Sequence, residues 1–126
     1  PQKAIVKKVI DGDTVELQNG LILRYVGITS PETGEPFEKE STEANRSLVE
    51  GKEITLEYDN YKSDKFGRIL AYAIVDGKNI SVELARQGMA ELVIYQKRKP
   101  FIHQTELLKV QQIAQSKKLG IWKNKN

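Results

Sequence analysis

Residues 3–17 read K-A-I-V-K-K-V-I-D-G-D-T-V-E-L, and they set the architecture. Lys3–Ile10 is β-branched and largely apolar, a composition suited to a pleated, half-buried surface. Asp11-Gly12 supplies tight-turn residues, and Asp13–Leu17 resumes with a period of two. Just beyond, Asn19-Gly20 is the strongest hairpin signal in the chain and leads into Leu21–Ile28. Three antiparallel strands in a meander are therefore predicted.

Working outward, the pattern changes between Glu35 and Gly51. Phe37, Ser41, Ala44 and Leu48 recur at helical spacing with charges opposite, and Gly51 is a stop. Lys52–Tyr58 and Ile69–Val75 read as two more strands, joined by a polar turn over Asn60–Arg68. Asp76-Gly77 precedes a short helix over Ile80–Gln87, closed by Gly88. Met89–Ile94 fits a short extended segment. Lys97-Arg98-Lys99-Pro100 reads as a loop. Thr105–Lys118 reads as an amphipathic helix with Leu107, Val110 and Ala114 on one face, after which Trp122 is expected to pack back on the core. Five short strands with a helix after the third predict a β-barrel with helices (α+β): a closed five-stranded barrel of OB type with three α-helices. An open α+β sheet fits the same pattern, but closure removes exposed strand edges.

With 126 residues and 14.3 kDa, the chain matches one domain, 1–126. It has no internal repeats and no apolar run near the ~20 residues of a membrane span. It opens at Pro1 with neither an initiator Met nor a signal-peptide pattern, so compartment is not readable. The absence of cysteine excludes disulfides, thiolate metal sites and a cysteine nucleophile. Residues 1–95 hold 12 Lys and Arg against 16 Asp and Glu, whereas residues 96–126 hold 8 against Glu106 alone. A basic end invites a polyanion, nucleic acid first and an anionic membrane surface second, although a solubilising lysine-rich helix looks the same.

Candidate chemistry concentrates in Leu23–Thr33, L-R-Y-V-G-I-T-S-P-E-T. Arg24 interrupts an apolar strand and calls for an anionic partner. Pro31 fixes the turn that presents Glu32. Asp11 and Asp13 flank Gly12, where two carboxylates can hold Ca²⁺ or Mg²⁺, or simply shape a turn. The alternation of that turn is expected to point Asp11 away from any ion held there. Arg68 follows D-K-F-G at the edge of an apolar run. The sole histidine, His103, sits at the foot of the last helix, where a capping or surface role is expected. No HExxH, P-loop or GxGxxG opens a helix. What remains is carboxylates, arginines and a hard cation. Each arginine singly defaults to a structural ion pair. Together with Asp13 and Glu32, two arginines make a phosphodiester site physically sensible, because guanidinium forks hold phosphate and offset transition-state charge.

Five stretches carry a resemblance: V-I-D-G-D-T-V-E-L, L-R-Y-V-G-I-T-S-P-E-T, D-K-F-G-R-I-L-A-Y, D-G-K-N-I-S-V-E-L-A-R-Q-G-M-A and K-L-G-I-W. In this order and spacing the chain resembles the thermonuclease, or staphylococcal nuclease-like, family. The resemblance implies an OB-type barrel with three helices and cleavage of DNA or RNA, single strands favoured, with little sequence preference, leaving 3′-phosphates. It implies Asp13 as a metal-ligating carboxylate, Arg24 and Arg68 as phosphate-binding arginines, and Glu32 as general base or water-ordering group. Lys65 and Tyr95 become contacts to phosphate and base. Ca²⁺ is the implied cofactor, other divalent ions being possible. A monomer, and a secreted or cell-envelope location, are further expectations.

One position departs. Where the family carries an aspartate as second metal carboxylate, this sequence has Thr29. A hydroxyl is a neutral, weaker ligand, leaving Asp13, Thr29 and the Ser30 carbonyl for any ion. Three functions follow from these residues: a metal-dependent nuclease with a weakened metal site, a nuclease-like module that binds nucleic acid without cutting it, and a basic module for protein or membrane surfaces. Retention of Arg24, Glu32 and Arg68 together favours the first.

Overall fold

The computed structural model describes residues 2–94 and 99–124. Eight strands form: β1 (Gln2–Asp11), β2 (Thr14–Leu17), β3 (Ile22–Tyr25), β4 (Ile28–Thr29), β5 (Glu53–Glu57), β6 (Ile69–Val75), β7 (Lys78–Asn79) and β8 (Glu91–Leu92). Three helices accompany them: α1 (Glu38–Val49), α2 (Ile80–Arg86) and α3 (Gln104–Ser116), with a 3₁₀ turn at Gly120–Trp122.

The meander is present. Val9 pairs with Val15 across β1 and β2, and Val15 with Leu23 across β2 and β3, all antiparallel. β5 pairs antiparallel with β1 and with β6. The ring shuts where β3 meets β6 in parallel, with Leu23 opposite Ile69, Arg24 opposite Leu70 and Tyr25 opposite Ala71. The result is the closed five-stranded OB-type barrel, and it leaves no barrel strand with a free edge. Inward residues at alternate positions, including Val6, Val15, Leu23, Ile54 and Ala71, fill its interior.

The strand expected over Leu21–Ile28 is broken. Gly27 takes φ +86°, a left-handed conformation that L side chains avoid. A Cβ there would stand 2.7 Å from Leu107 Cδ1, so close approach of α3 also demands glycine. The chain turns and resumes as β4, which pairs with β8, the short extended segment foreseen after Met89. The two-residue β7, paired with β6, was not foreseen.

The α1 stripe is also rotated from the expected one. Its buried residues are Ser41, Asn45 and Val49, while Ala44 and Leu48 pack at the margin. The buried polar pair is accommodated because each finds partners. Ser41 Oγ donates to the Met89 carbonyl at 2.7 Å, and Asn45 bonds on both sides of its amide. α2 begins behind Asn79, whose side chain accepts from Ser81 N–H at 3.0 Å. α3 buries Leu107, Val110 and Ala114 as expected, and Trp122 packs on the core. Among the described residues no helix is long and apolar enough to cross a membrane.

Candidate active site

The D-G-D turn between β1 and β2 packs against β4 and α1. Gly12 is required there, because a Cβ would lie 2.6 Å from Ser30 Cβ and 2.9 Å from Ser41 Cβ. Asp11 Oδ1 accepts the Asp13 N–H at 3.0 Å, an Asx bond that shapes the turn. Burial, then the hydrogen bond and charge of Asp13, push the Asp11 carboxyl up to about 6.

Asp13 is only 7% exposed. Its Oδ1 accepts from Thr14 Oγ1–H at 2.6 Å, and Oδ2 accepts the Ser30 N–H at 2.9 Å. Arg24 Nη2 stands 3.5 Å from Oδ2. Burial works to raise this carboxyl, but the Arg24 charge and the hydrogen bonds outweigh it and hold it below the usual carboxylate range. Arg24 Nη1 donates at 2.7 Å to the carbonyls of Tyr25 and Ile28, the two ends of the Gly27 turn. The anionic partner that Arg24 required is therefore Asp13. Beneath them, Asn45 accepts from Tyr25 OH at 2.7 Å and donates to the Asp11 carbonyl at 2.8 Å.

Parallel pairing of β3 with β6 brings Arg68 beside Arg24, since Arg68 immediately precedes Ile69, the partner of Leu23. Both line one cavity of about 430 Å³, together with Lys65, Phe66, Tyr61 and Phe101. Arg68 Nε donates to Asp64 Oδ2 at 2.7 Å. Lys65 Nζ and Arg68 Cζ lie 5.2 and 5.6 Å from the Phe66 ring centre, and the ring is 71% exposed.

Glu32 is elsewhere. With Thr29 and Ser30 it lines a second cavity of about 570 Å³, where Glu35 and Glu91 add negative charge. Ile28, whose carbonyl accepts from Arg24, is among the residues of the arginine cavity, and Thr29 is among those of the acidic one. Tyr95 lies outside the described residues. His103 heads α3 without a side-chain cap, its Nε2 2.5 Å from Glu57 Oε1 and its ring edge-on to Tyr72.

The residues expected to hold Ca²⁺ do not fit a conventional cage. Asp13 supplies the one carboxylate of the set, and both its oxygens already accept hydrogen bonds. Among the described residues no group of three or more acidic or histidine side chains gathers to hold a metal. A hard cation of six to eight oxygen ligands would find too little negative charge there. The sequence did not single out Asp64 or Asn45. An aspartate four residues ahead of an arginine across a glycine turn was the available signal for the first; the second had none.

The staphylococcal nuclease homologue family model matches residues 22–124, from the start of β3 to beyond the 3₁₀ turn. The chain belongs to the staphylococcal nuclease family. Its relatives include endonuclease YncB of Bacillus subtilis, 35% identical over 91% of this chain and 59% of the relative. The SPbeta prophage-derived endonuclease YokF of the same organism is 35% identical over 91% of this chain and 42% of its own length. The thermonuclease of Staphylococcus hyicus is 32% identical over 94% of this chain and 75% of the relative. The chain thus spans about half the length of the two Bacillus relatives. Members of the staphylococcal nuclease family generally depend on divalent metal.

Proposed function

We propose that the chain is a nuclease that hydrolyses phosphodiester bonds of DNA or RNA, favouring single strands and reading little sequence. One observation carries this: Arg24 of β3 and Arg68, the residue before β6, line the same cavity as Lys65, and the parallel pairing of those strands closes the barrel there. A phosphodiester held there meets two guanidinium groups in a partly dry setting. Their charge offsets the negative charge that grows on the phosphoryl oxygens as water attacks. Attack on phosphorus that expels the 5′-oxygen leaves the 3′-phosphate, and the expelled oxygen takes up a proton. Asp13 holds Arg24 in place rather than meeting the substrate.

Glu32 is the group in this proposal that orders the water or takes its proton. It lines the acidic cavity with Thr29 and Ser30. Ca²⁺ would be held weakly by this chain, since Thr29 stands where the family carries a carboxylate. Lys65 supports the neighbouring phosphate.

The test uses labelled single-stranded DNA and RNA with Ca²⁺, with another divalent ion and with chelator. Cleavage is expected with metal, lost in Arg24→Ala and Arg68→Ala, and stronger or less Ca²⁺-demanding in Thr29→Asp. Should neither wild type nor Thr29→Asp cut, while both bind DNA with affinity that falls steeply with salt, the chain is a binding module instead. That Asp13 is the one carboxylate of the set with Thr29 and Ser30 is what favours that second outcome.

A further inference from the structure

We propose that Asp64 is a positioning residue for phosphate capture, holding Arg68 by Nε so that its terminal nitrogens are presented to the cavity beside Arg24. This rests on the nuclease proposal and names how its second arginine is aimed.

Asp64 does more than a turn requires. Its Oδ1 accepts the backbone N–H of Phe66 at 2.9 Å and of Arg68 at 3.0 Å. Its own backbone closes the loop, donating to the Arg68 carbonyl at 3.0 Å and accepting from Gly67 N–H at 3.1 Å. Those bonds suffice to build D-K-F-G-R as a tight turn, and an asparagine would make them equally well. Oδ2 is surplus to the turn, and it takes the Arg68 Nε–H at 2.7 Å.

The choice of nitrogen matters. An arginine–carboxylate pair that serves only stability gains most from a two-pronged contact through the terminal nitrogens. Bonding through Nε leaves those nitrogens out: among the described residues Nη1 and Nη2 of Arg68 make no hydrogen bond. The guanidinium also lies 5.6 Å from the Phe66 ring centre, which limits its rotation about the remaining torsions. Two constraints thus fix a side chain that is still 35% exposed. A fork fixed in advance loses less entropy on gripping phosphate, and it holds the direction that transition-state stabilisation needs.

The experiment is a cycle of Asp64→Asn and Arg68→Lys in the full chain. Asp64→Asn retains Oδ1 and the turn, but sets an amide against Arg68 Nε; lysine at 68 has no Nε–H fork to orient. Three readouts are taken: thermal melting, salt-titrated binding of a fluorescent single-stranded oligonucleotide, and kcat and KM with the same oligonucleotide. Expected for Asp64→Asn are a melt close to wild type and a loss of roughly tenfold to a hundredfold in binding and kcat/KM. In the Arg68→Lys background the same change should cost little further. A purely structural turn residue would instead lower both backgrounds equally, and that additivity overturns the proposal, as does Asp64→Asn binding like wild type. If wild type binds but does not cut, the nuclease reading fails while the binding cycle still decides on Asp64. If wild type neither binds nor cuts, both fall.

Discussion

Replacing Arg24 by methionine would keep the apolar stem and remove the charge, isolating what the guanidinium does in the fold. Three groups lose the guanidinium at once: the Tyr25 and Ile28 carbonyls, and the Asp13 carboxylate, which keeps only its bonds from Thr14 and Ser30. Asp13 is 7% exposed and cannot turn to water. Removing one member of a buried ion pair costs about 3–5 kcal/mol, a large share of the ~5–15 kcal/mol typical of a domain. With a urea slope near 2 kcal/mol/M, the unfolding midpoint would fall by roughly 2 M. Buried Trp122 is the fluorescence reporter. The pH dependence separates the contributions. In wild type the Asp13 carboxyl is held below the usual carboxylate range, so its stabilisation is complete above the unfolded-chain value and is lost only as pH falls through the lower folded one. In Arg24→Met, burial is opposed only by the hydrogen bonds from the turn, so the folded value moves up. As pH falls, the variant's Asp13 takes up its proton before that of wild type, and the stability deficit narrows. Curves of unfolding free energy against pH that run parallel for the two proteins would refute this reasoning, and would assign the loss to the two carbonyls.

Asp11→Asn should stabilise the protein near neutrality by about 1–2 kcal/mol. The Asp11 carboxyl, raised to about 6, loses folded-state stability as pH climbs from about 4 to 6, so the gain should vanish in melts at pH 4 run with chelator. Asn45→Ala strands Tyr25 OH and the Asp11 carbonyl and should cost about 2–4 kcal/mol in urea unfolding, with Tyr25→Phe costing clearly less. Gly27→Ala forces a β-carbon into Leu107 at φ +86° and should cost about 2 kcal/mol or more. It should also speed amide exchange at Val93, whose N–H bonds the Gly27 carbonyl.

The barrel was legible because its strands carry strong local signals: β-branched runs, period-two alternation and Asn-Gly or Asp-Gly turns. Those signals are silent about what Gly27 does. An apolar run through Leu21–Ile28 looks continuous, whereas tertiary approach of Leu107 and the two bonds from Arg24 bend it. The α1 stripe was misplaced for a related reason. Periodicity counts apolar residues, and beside the expected Ser41 this helix buries Asn45, because hydrogen-bond partners happen to await its amide. At the site, motif spacing identified the arginines and Asp13 but not how they divide. That Glu32 opens on a different cavity depends on three-dimensional pairing of β4 with β8. Asp64 escaped notice because its second oxygen matters only once the turn exists.

The parallel seam between β3 and β6 has one more implication. Arg24 and Arg68 are neighbours solely through that seam, the pairing that completes the ring. Until it forms, each arginine sits on its own separate piece of chain. On the proposed function, competence and ring completion would then be one event, and turnover followed during refolding would count sealed molecules rather than merely collapsed ones. A single-residue slip along the seam would send one guanidinium to the opposite face of the sheet and silence the grip without unfolding anything.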